Sequence, residues 1–133
     1  MVRDEREAVG KRILVVDDET EIVDLLRDVL TSEGYEVDSA FDAASALRFI
    51  RASIYDAALL DFNLPDMDGV MLHHQIRQMD PELAGRSVFM SGLVQSDNNL
   101  GYYSSHSGGF LSKPFDIRDV LGVVRGLLEE GEP

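Results

Sequence analysis

Five side chains spread between Asp17 and Lys113 are of the types that handle a phosphoryl group: Asp17, Asp18, Asp61, Ser91 and Lys113. Three carboxylates brought to one spot repel each other and need a cation. Mg²⁺ suits them because it is hard, prefers oxygen and is held by one or two carboxylates together with substrate phosphate. About six oxygens are wanted. Asp18 and Asp61 would bind directly, Asp17 through water, a backbone carbonyl such as that of Asn63 would join them, and water or phosphoryl oxygens would complete the set. Ca²⁺ would prefer a roomier and more flexible loop. Lys113 balances charge while no phosphoryl group is present and pairs with one that arrives. Ser91 Oγ donates a hydrogen bond to a phosphoryl oxygen. In that setting Asp61 is a carboxylate nucleophile, the metal and the lysine compensating the charge on the transferred group. Each residue alone also reads as an ordinary solvated turn, strand-end hydroxyl or surface charge; their joint placement carries the argument.

That placement comes from alternating strands and helices. Arg12–Val16 is a nearly continuous apolar run of the kind buried on both faces of a parallel sheet, and it stops at Asp17-Asp18. A helix with Ile22, Leu25, Leu26, Val29 and Leu30 on one face follows, with Thr20 as its N-cap and Gly34 at its close. Tyr35–Ala40 is a second strand. Asp42 caps a helix carrying Ala43, Leu47 and Ile50 and ending near Ala52-Ser53. Tyr55–Leu60 is the third strand, stopped by Asp61. After Asn63-Leu-Pro-Asp-Met-Asp-Gly69 a helix presents Val70, Leu72, Ile76 and Met79, with Pro81 just past it. Ser87–Ser91 and Gly109–Ser112 are strands four and five. Asp116, with Asp119 at N3, opens a final helix lined by Ile117, Val120, Leu121, Val124, Leu127 and Leu128. Between Val94 and Gly108 helix formers are scarce, and a short or irregular crossover helix over Asn98–Ser105 is expected. The pattern predicts an α/β fold, a doubly wound five-stranded parallel sheet with helices on both faces, in which ligands gather at the carboxyl ends of the strands. All five candidate residues lie at or just beyond such ends.

Length and composition set the remaining bounds. A chain of 133 residues suits one domain. We divide it into a polar arm or linker remnant over 1–10, a domain over 11–130 and a tail over 131–133. Twelve Lys and Arg against twenty-five Asp and Glu leave a charge of −13, which argues against direct nucleic-acid binding. No apolar run is long enough for membrane insertion, and the charged first ten residues do not form a signal peptide, so a cytoplasmic location is expected. Cysteine is absent, which removes disulfide and thiolate chemistry.

The stretches Ile13-Leu-Val-Val-Asp-Asp-Glu19, Leu59-Leu-Asp-Phe-Asn-Leu-Pro-Asp-Met-Asp-Gly69, Phe89-Met-Ser91 and Phe110-Leu-Ser-Lys-Pro-Phe115 resemble the receiver domain of bacterial two-component response regulators. The similarity spans residues 11–130 and extends to chemotaxis-type single-domain receivers. It implies a flavodoxin-like sheet with strand order 2-1-3-4-5. Asp61 would be the phosphorylated residue, Asp17 and Asp18 would position Mg²⁺ (Mn²⁺ can substitute), Lys113 would contact the phosphoryl group, and Ser91 would be the switch hydroxyl. Backbone contacts to the phosphoryl group would come from Asn63 and Gly92, and Lys113–Pro114 would be a cis peptide. Ser91, drawn inward by new phosphate oxygens, would clear space for an aromatic on strand five; Phe110 matches its place but lacks a tyrosine hydroxyl. The donor would be a sensor histidine kinase or a histidine phosphotransfer protein. The chain would catalyse its own phosphorylation and a slow autodephosphorylation. Its target would be a downstream protein or an output domain in a longer parent chain. Residues 102–109 lack the family's usual alanine-rich and Gly-Ala character, which leaves open dimerisation through the face formed by the fourth crossover helix, strand five and the last helix. His106 reads as a surface residue.

Other readings fit less well. An aspartate-nucleophile phosphatase of the haloacid-dehalogenase type would carry Asp-x-Asp after strand one, where this chain has Asp17-Asp18-Glu19. A phosphorylation-independent interaction module would be favoured by loss of the acidic residues or the lysine, all of which are present. A dinucleotide-binding unit would need a glycine-rich turn after strand one. A receiver excised from a hybrid histidine kinase has the same site residues as a free-standing one.

Overall fold

The computed structural model describes residues 10–92 and 109–129. In chain order the elements are β1 (Arg12–Val16), α1 (Thr20–Ser32), β2 (Glu36–Ala40), α2 (Ala43–Ala52), β3 (Ala57–Asp61), α3 (Gly69–Met79), α4 (Pro81–Gly85), β4 (Ser87–Ser91), β5 (Gly109–Ser112) and α5 (Ile117–Glu129). All strands are parallel, in the order β2-β1-β3-β4-β5. The fold is therefore the doubly wound α/β sheet that the alternating pattern predicts.

Period-two alternation along the strands divides the core into two layers. Leu14, Val16, Ala58, Leu60 and Phe89 face one side, where Ala46, Leu47 and Ile50 of α2, Leu72 and Ile76 of α3 and Leu83 of α4 cover them. Ile13, Val15, Ala57, Leu59, Val88 and Met90 face the other, under Val23, Leu26 and Leu30 of α1 and Val120, Val124 and Leu127 of α5. Both faces of β1, β3 and β4 are thus dry, which is why those strands are apolar without interruption.

Element boundaries depart from the sequence reading at several places, β2 for one beginning at Glu36 rather than Tyr35. Glu19, not Thr20, is the N-cap residue of α1, and no side chain caps that end. The Glu19 carboxylate is instead drawn to Lys113, 3.0 Å away. Strand β3 begins at Ala57 and takes in Asp61, because the backbone amide of Asp56 bonds Arg12 O while Tyr55 donates its hydroxyl to Asp38. Pro81 opens the short helix α4, capped by the Asp80 side chain on Leu83 N. Proline is preorganised for the first helical position, where no amide bond is lost.

The packed faces also differ in detail. Leu25, Met79 and Ile117 are exposed. Val23 and His73 take inward positions instead. His73 is fully buried, its Nε2 lies 2.8 Å from Ala84 O, and its ring sits 5.2 Å from that of Phe89. A histidine on an apolar face is compatible with burial once a carbonyl accepts its N–H. The expected helix over 98–105 and His106 lie outside the described residues.

Candidate functional site

Four strand ends converge because the backbone ties neighbouring strands laterally. Asp17 N donates to Ala40 O beyond β1, Phe62 N donates to Met90 O beyond β3, and Lys113 N donates to Ser91 O beyond β5. Each bond continues the parallel ladder by one step past the regular pairing, so the residues after β1, β3, β4 and β5 form a common rim.

On that rim the Asp17, Asp18 and Asp61 carboxylates offer oxygens that all lie within 4.8 Å of one another. Asp17 is fully buried, Asp61 is 6% exposed and Asp18 faces solvent. Lys113 reaches into the group: its Nζ is 2.8 Å from Asp17 Oδ2, 3.0 Å from Glu19 Oε1 and 3.3 Å from Asp61 Oδ1. Asp17 Oδ1 accepts from Glu19 N at 2.9 Å. Asp17 Oδ2 has no aligned hydrogen-bond donor among the described residues, so the ammonium beside it acts as an ion-pair partner. One lysine thus serves three carboxylates, and the site carries surplus negative charge.

The titration behaviour follows from that surplus. Burial, then the Asp17 charge, pushes the Asp61 carboxyl from 3.8 up to about 6, although Lys113 pulls the other way. Burial would lower the Lys113 ammonium, but its close pairing with the Asp17 and Glu19 carboxylates outweighs this and holds it above the usual lysine range. A buried carboxylate oxygen without an aligned donor, beside two further carboxylates, is a donor set that fits a hard divalent cation. Asp17, Asp18 and Asp61 are the residues that would hold it.

Beneath the rim, the loop after Asp61 is tightly closed. Gly69 N donates to Phe62 O at 2.8 Å, and Asn63 and Asp68 form an antiparallel bridge. Asp68 caps α3 through Met71 N. A Cβ on Gly69 would stand 2.8 Å from Asp61 O and 3.1 Å from Phe62 Cα, so only glycine fits against the end of β3. At the tip of the loop Asp66 accepts from Ala43 N (2.9 Å) and Ala44 N (3.0 Å). The bond from Ala43 is the main reason that its carboxyl is held below the usual range.

Ser91 is buried at the end of β4, and Gly92 follows it beside the Lys113 side chain. Asn63 is exposed in the loop. Phe110 is half-buried on β5, paired in register with Phe89 and packed on the layer beneath α2 and α3. The Lys113–Pro114 peptide is cis. Sequence reasoning passed over Glu19, Gly69 and Asp66. Glu19 directly follows the acidic pair, but its role depends on where Lys113 lies.

A family model, the response regulator receiver domain, matches residues 13–125. The chain belongs to the response regulator receiver family. Its acidic cluster is therefore that of a receiver phosphoacceptor site. Among curated proteins, it is similar to the regulatory protein VanRc of Enterococcus gallinarum, 44% identical over 119 residues, 88% of this chain and 49% of that protein. The transcriptional regulatory protein DltR of Streptococcus agalactiae is 30% identical over 114 residues, 86% of this chain and 50% of that protein. The receiver chain thus spans about half the length of these relatives. Among solved structures, a receiver domain protein of Methanospirillum hungatei superposes with a TM-score of 0.85 at 33% identity, covering 92% of this chain and 96% of that one. The beryllofluoride-activated NtrC4 receiver domain dimer superposes at 0.83 with 30% identity, covering 90% and 97%.

Proposed function

We propose that this receiver accepts a phosphoryl group on Asp61 from a phosphohistidine of a sensor histidine kinase or phosphotransfer protein and relays the change to a partner. The observation that carries the reading is the Asp61 carboxylate inside an acidic cluster with its Oδ1 3.3 Å from Lys113 Nζ. With its pKa near 6, Asp61 is mostly ionised at neutral pH and retains more basicity than a solvent-exposed carboxylate.

Asp61 attacks phosphorus in line as the phosphorus–nitrogen bond to the donor imidazole breaks. The nitrogen keeps the electron pair and takes a proton from solvent, and an aspartyl phosphate remains. Lys113 follows the charge from the carboxylate to the phosphoryl oxygens, and Ser91 Oγ donates to one of them. The backbone amides of Asn63 and Gly92 supply further donors. Asp18, Asp61 and the Asn63 carbonyl, with Asp17 behind them, would hold Mg²⁺, which when bound neutralises charge on the phosphoryl oxygens. Hydrolysis of the acyl phosphate by water returns Asp61 and inorganic phosphate.

Phosphorylation would draw Ser91 toward the new oxygens and free Phe110 to turn inward from its half-buried position. The target is either a separate protein or an output domain of a longer parent chain; the roughly twofold length of VanRc and DltR favours the latter. No helix among the described residues is long and apolar enough to cross a membrane. That and the charge of −13 fit a cytoplasmic relay without direct nucleic-acid contact.

The test is intact mass after incubation with acetyl phosphate, with and without Mg²⁺, for wild type and Asp61→Asn. A Mg²⁺-dependent gain of about 80 Da confined to the wild type is expected. A chain that gains no mass, even with a phosphorylated histidine kinase as donor, overturns the reading in favour of a phosphorylation-independent interaction module.

A further inference from the structure

The clamp between Asp66 and the start of α2 is not used by the chemistry above, yet it holds the loop that the chemistry needs. Asp66 sits at the tip of the turn between Asn63 and Asp68, the two residues that bridge to each other at its base. Its two carboxylate oxygens accept from successive amides, Ala43 N and Ala44 N, twenty-three and twenty-two residues away. These are among the first amides of a helix, which have no partner within it and lie at its positive end. The same helix already has its own cap, since Asp42 Oδ1 accepts from Ser45 N at 2.8 Å. Asp66 therefore adds a connection between elements rather than completing a missing cap.

That connection closes a ring of contacts around the carboxylate cluster. Asp17 N is bonded to Ala40 O, three residues before Ala43. From Ala43 the ring passes through Asp66 to the bridged pair Asn63 and Asp68, and from there to Phe62, whose carbonyl accepts from Gly69 N. Leu64 and Met67 pack on the core beneath, and Met67 Sδ also lies 4.0 Å from Gln75 Nε2 of α3, so neither ties the loop to α2 by a polar contact. The Asp66 carboxylate, exposed to solvent itself, is the polar tie between the tip of this loop and α2 among the described residues.

We propose that Asp66 is a positioning residue for the phosphoacceptor site, fixing the loop that presents the Asn63 backbone to the bound cation by clamping it to the start of α2. The inference rests on the phosphoacceptor reading and narrows it to one side chain. Residues behind a metal's direct ligands alter affinity by orienting those ligands. Here the oriented group is a main-chain carbonyl, held at the base of the loop by the Asn63–Asp68 bridge and at its tip by the Asp66 side chain.

The test uses the full chain, with Asp66→Ala, Asp66→Asn and Asp42→Ala beside the wild type. Asp42→Ala removes a cap from the same helix without touching the loop. Mg²⁺ affinity is read by calorimetry, and amide exchange at Ala43, Ala44 and Asn63 is read by NMR in the metal-free protein. Asp66→Ala should weaken Mg²⁺ by about tenfold and speed exchange at all three amides. Asp66→Asn, which keeps one acceptor oxygen, should fall between. Asp42→Ala should lower the melting temperature and leave Mg²⁺ affinity within about twofold of wild type. Unchanged Mg²⁺ affinity in Asp66→Ala, or an equal loss in Asp42→Ala, overturns the proposal and reduces Asp66 to a second helix cap. A wild type that binds Mg²⁺ but takes no phosphoryl group would instead refute the phosphoacceptor reading, and the Mg²⁺ titration would still decide the role of Asp66.

Discussion

Replacing Asp61 with Asn should make the metal-free protein more stable, because the native cluster holds more negative charge than Lys113 can offset. Burial, and after it the Asp17 charge, raises the Asp61 pKa from 3.8 to about 6. A carboxyl whose pKa is higher in the folded chain takes up protons on folding. Its contribution to stability is full below about pH 4 and is lost as the pH rises through about 6. The difference of about two pH units corresponds to about 3 kcal/mol at most, and solvent screening at the rim brings the expected effect to about 1 to 3 kcal/mol. Asn keeps the shape and an acceptor for Lys113 while removing the charge. At pH 7.5 in EDTA the variant should therefore melt higher, by roughly 4 °C for each kcal/mol in a domain of this size. The gap should widen by about 1 kcal/mol between pH 5 and pH 8, most of it below pH 7. Free Mg²⁺ at ten times its Kd should add about 1.4 kcal/mol to the wild type and less to the variant. Melts followed by circular dichroism across that pH range decide the matter. If Asp61→Asn is no more stable than wild type at pH 7.5, or if the gap is flat with pH, the carboxylates are not in electrostatic conflict and the argument for a charge-compensating cation fails.

Three further outcomes follow from the packing. Lys113→Ala leaves the buried Asp17 Oδ2 without its counter-ion, so it should lower metal-free stability by about 1 to 3 kcal/mol in urea titrations, with Mg²⁺ restoring much of the loss. Gly69→Ala forces a methyl group to within 2.8 Å of Asp61 O. It should cost about 1 to 3 kcal/mol and slow phosphorylation from acetyl phosphate by displacing the end of β3, whereas an unaltered rate would show that the strand end yields freely. Phe89→Ala, two residues before Ser91 on β4 and fully buried against His73, should cost about 3 to 5 kcal/mol in the same titrations without altering Mg²⁺ affinity in the molecules that remain folded.

Much of this protein was legible before any coordinates. The runs Arg12–Val16 and Ser87–Ser91 are strands at the same boundaries in the fold, because a short apolar run such as Ile13–Val16 or Val88–Met90, too brief for a helix, is readily buried as a central strand. Asp42 caps its helix as its position predicts, since capping is a local event within four residues. Such features depend on neighbours in sequence, so sequence carries them. The α1 cap was misplaced for the opposite reason: Thr20 has the right side chain, but the entry to that helix is set by Asp17 and Lys113, one of them ninety-three residues away.

Residue types alone determined that three aspartates, a serine and a lysine would stand at strand ends, because each follows an apolar run that must end where it does. Tertiary structure decided how the charge is shared. Lys113 lies nearer Asp17 than Asp61, Glu19 joins the pair, and one buried carboxylate oxygen is left without an aligned donor. It likewise decided that Gly69 touches the Asp61 carbonyl and that Asp66 spans to α2. These depend on distances between segments far apart in the chain, and Coulombic and steric energies change steeply over a single ångström at such range.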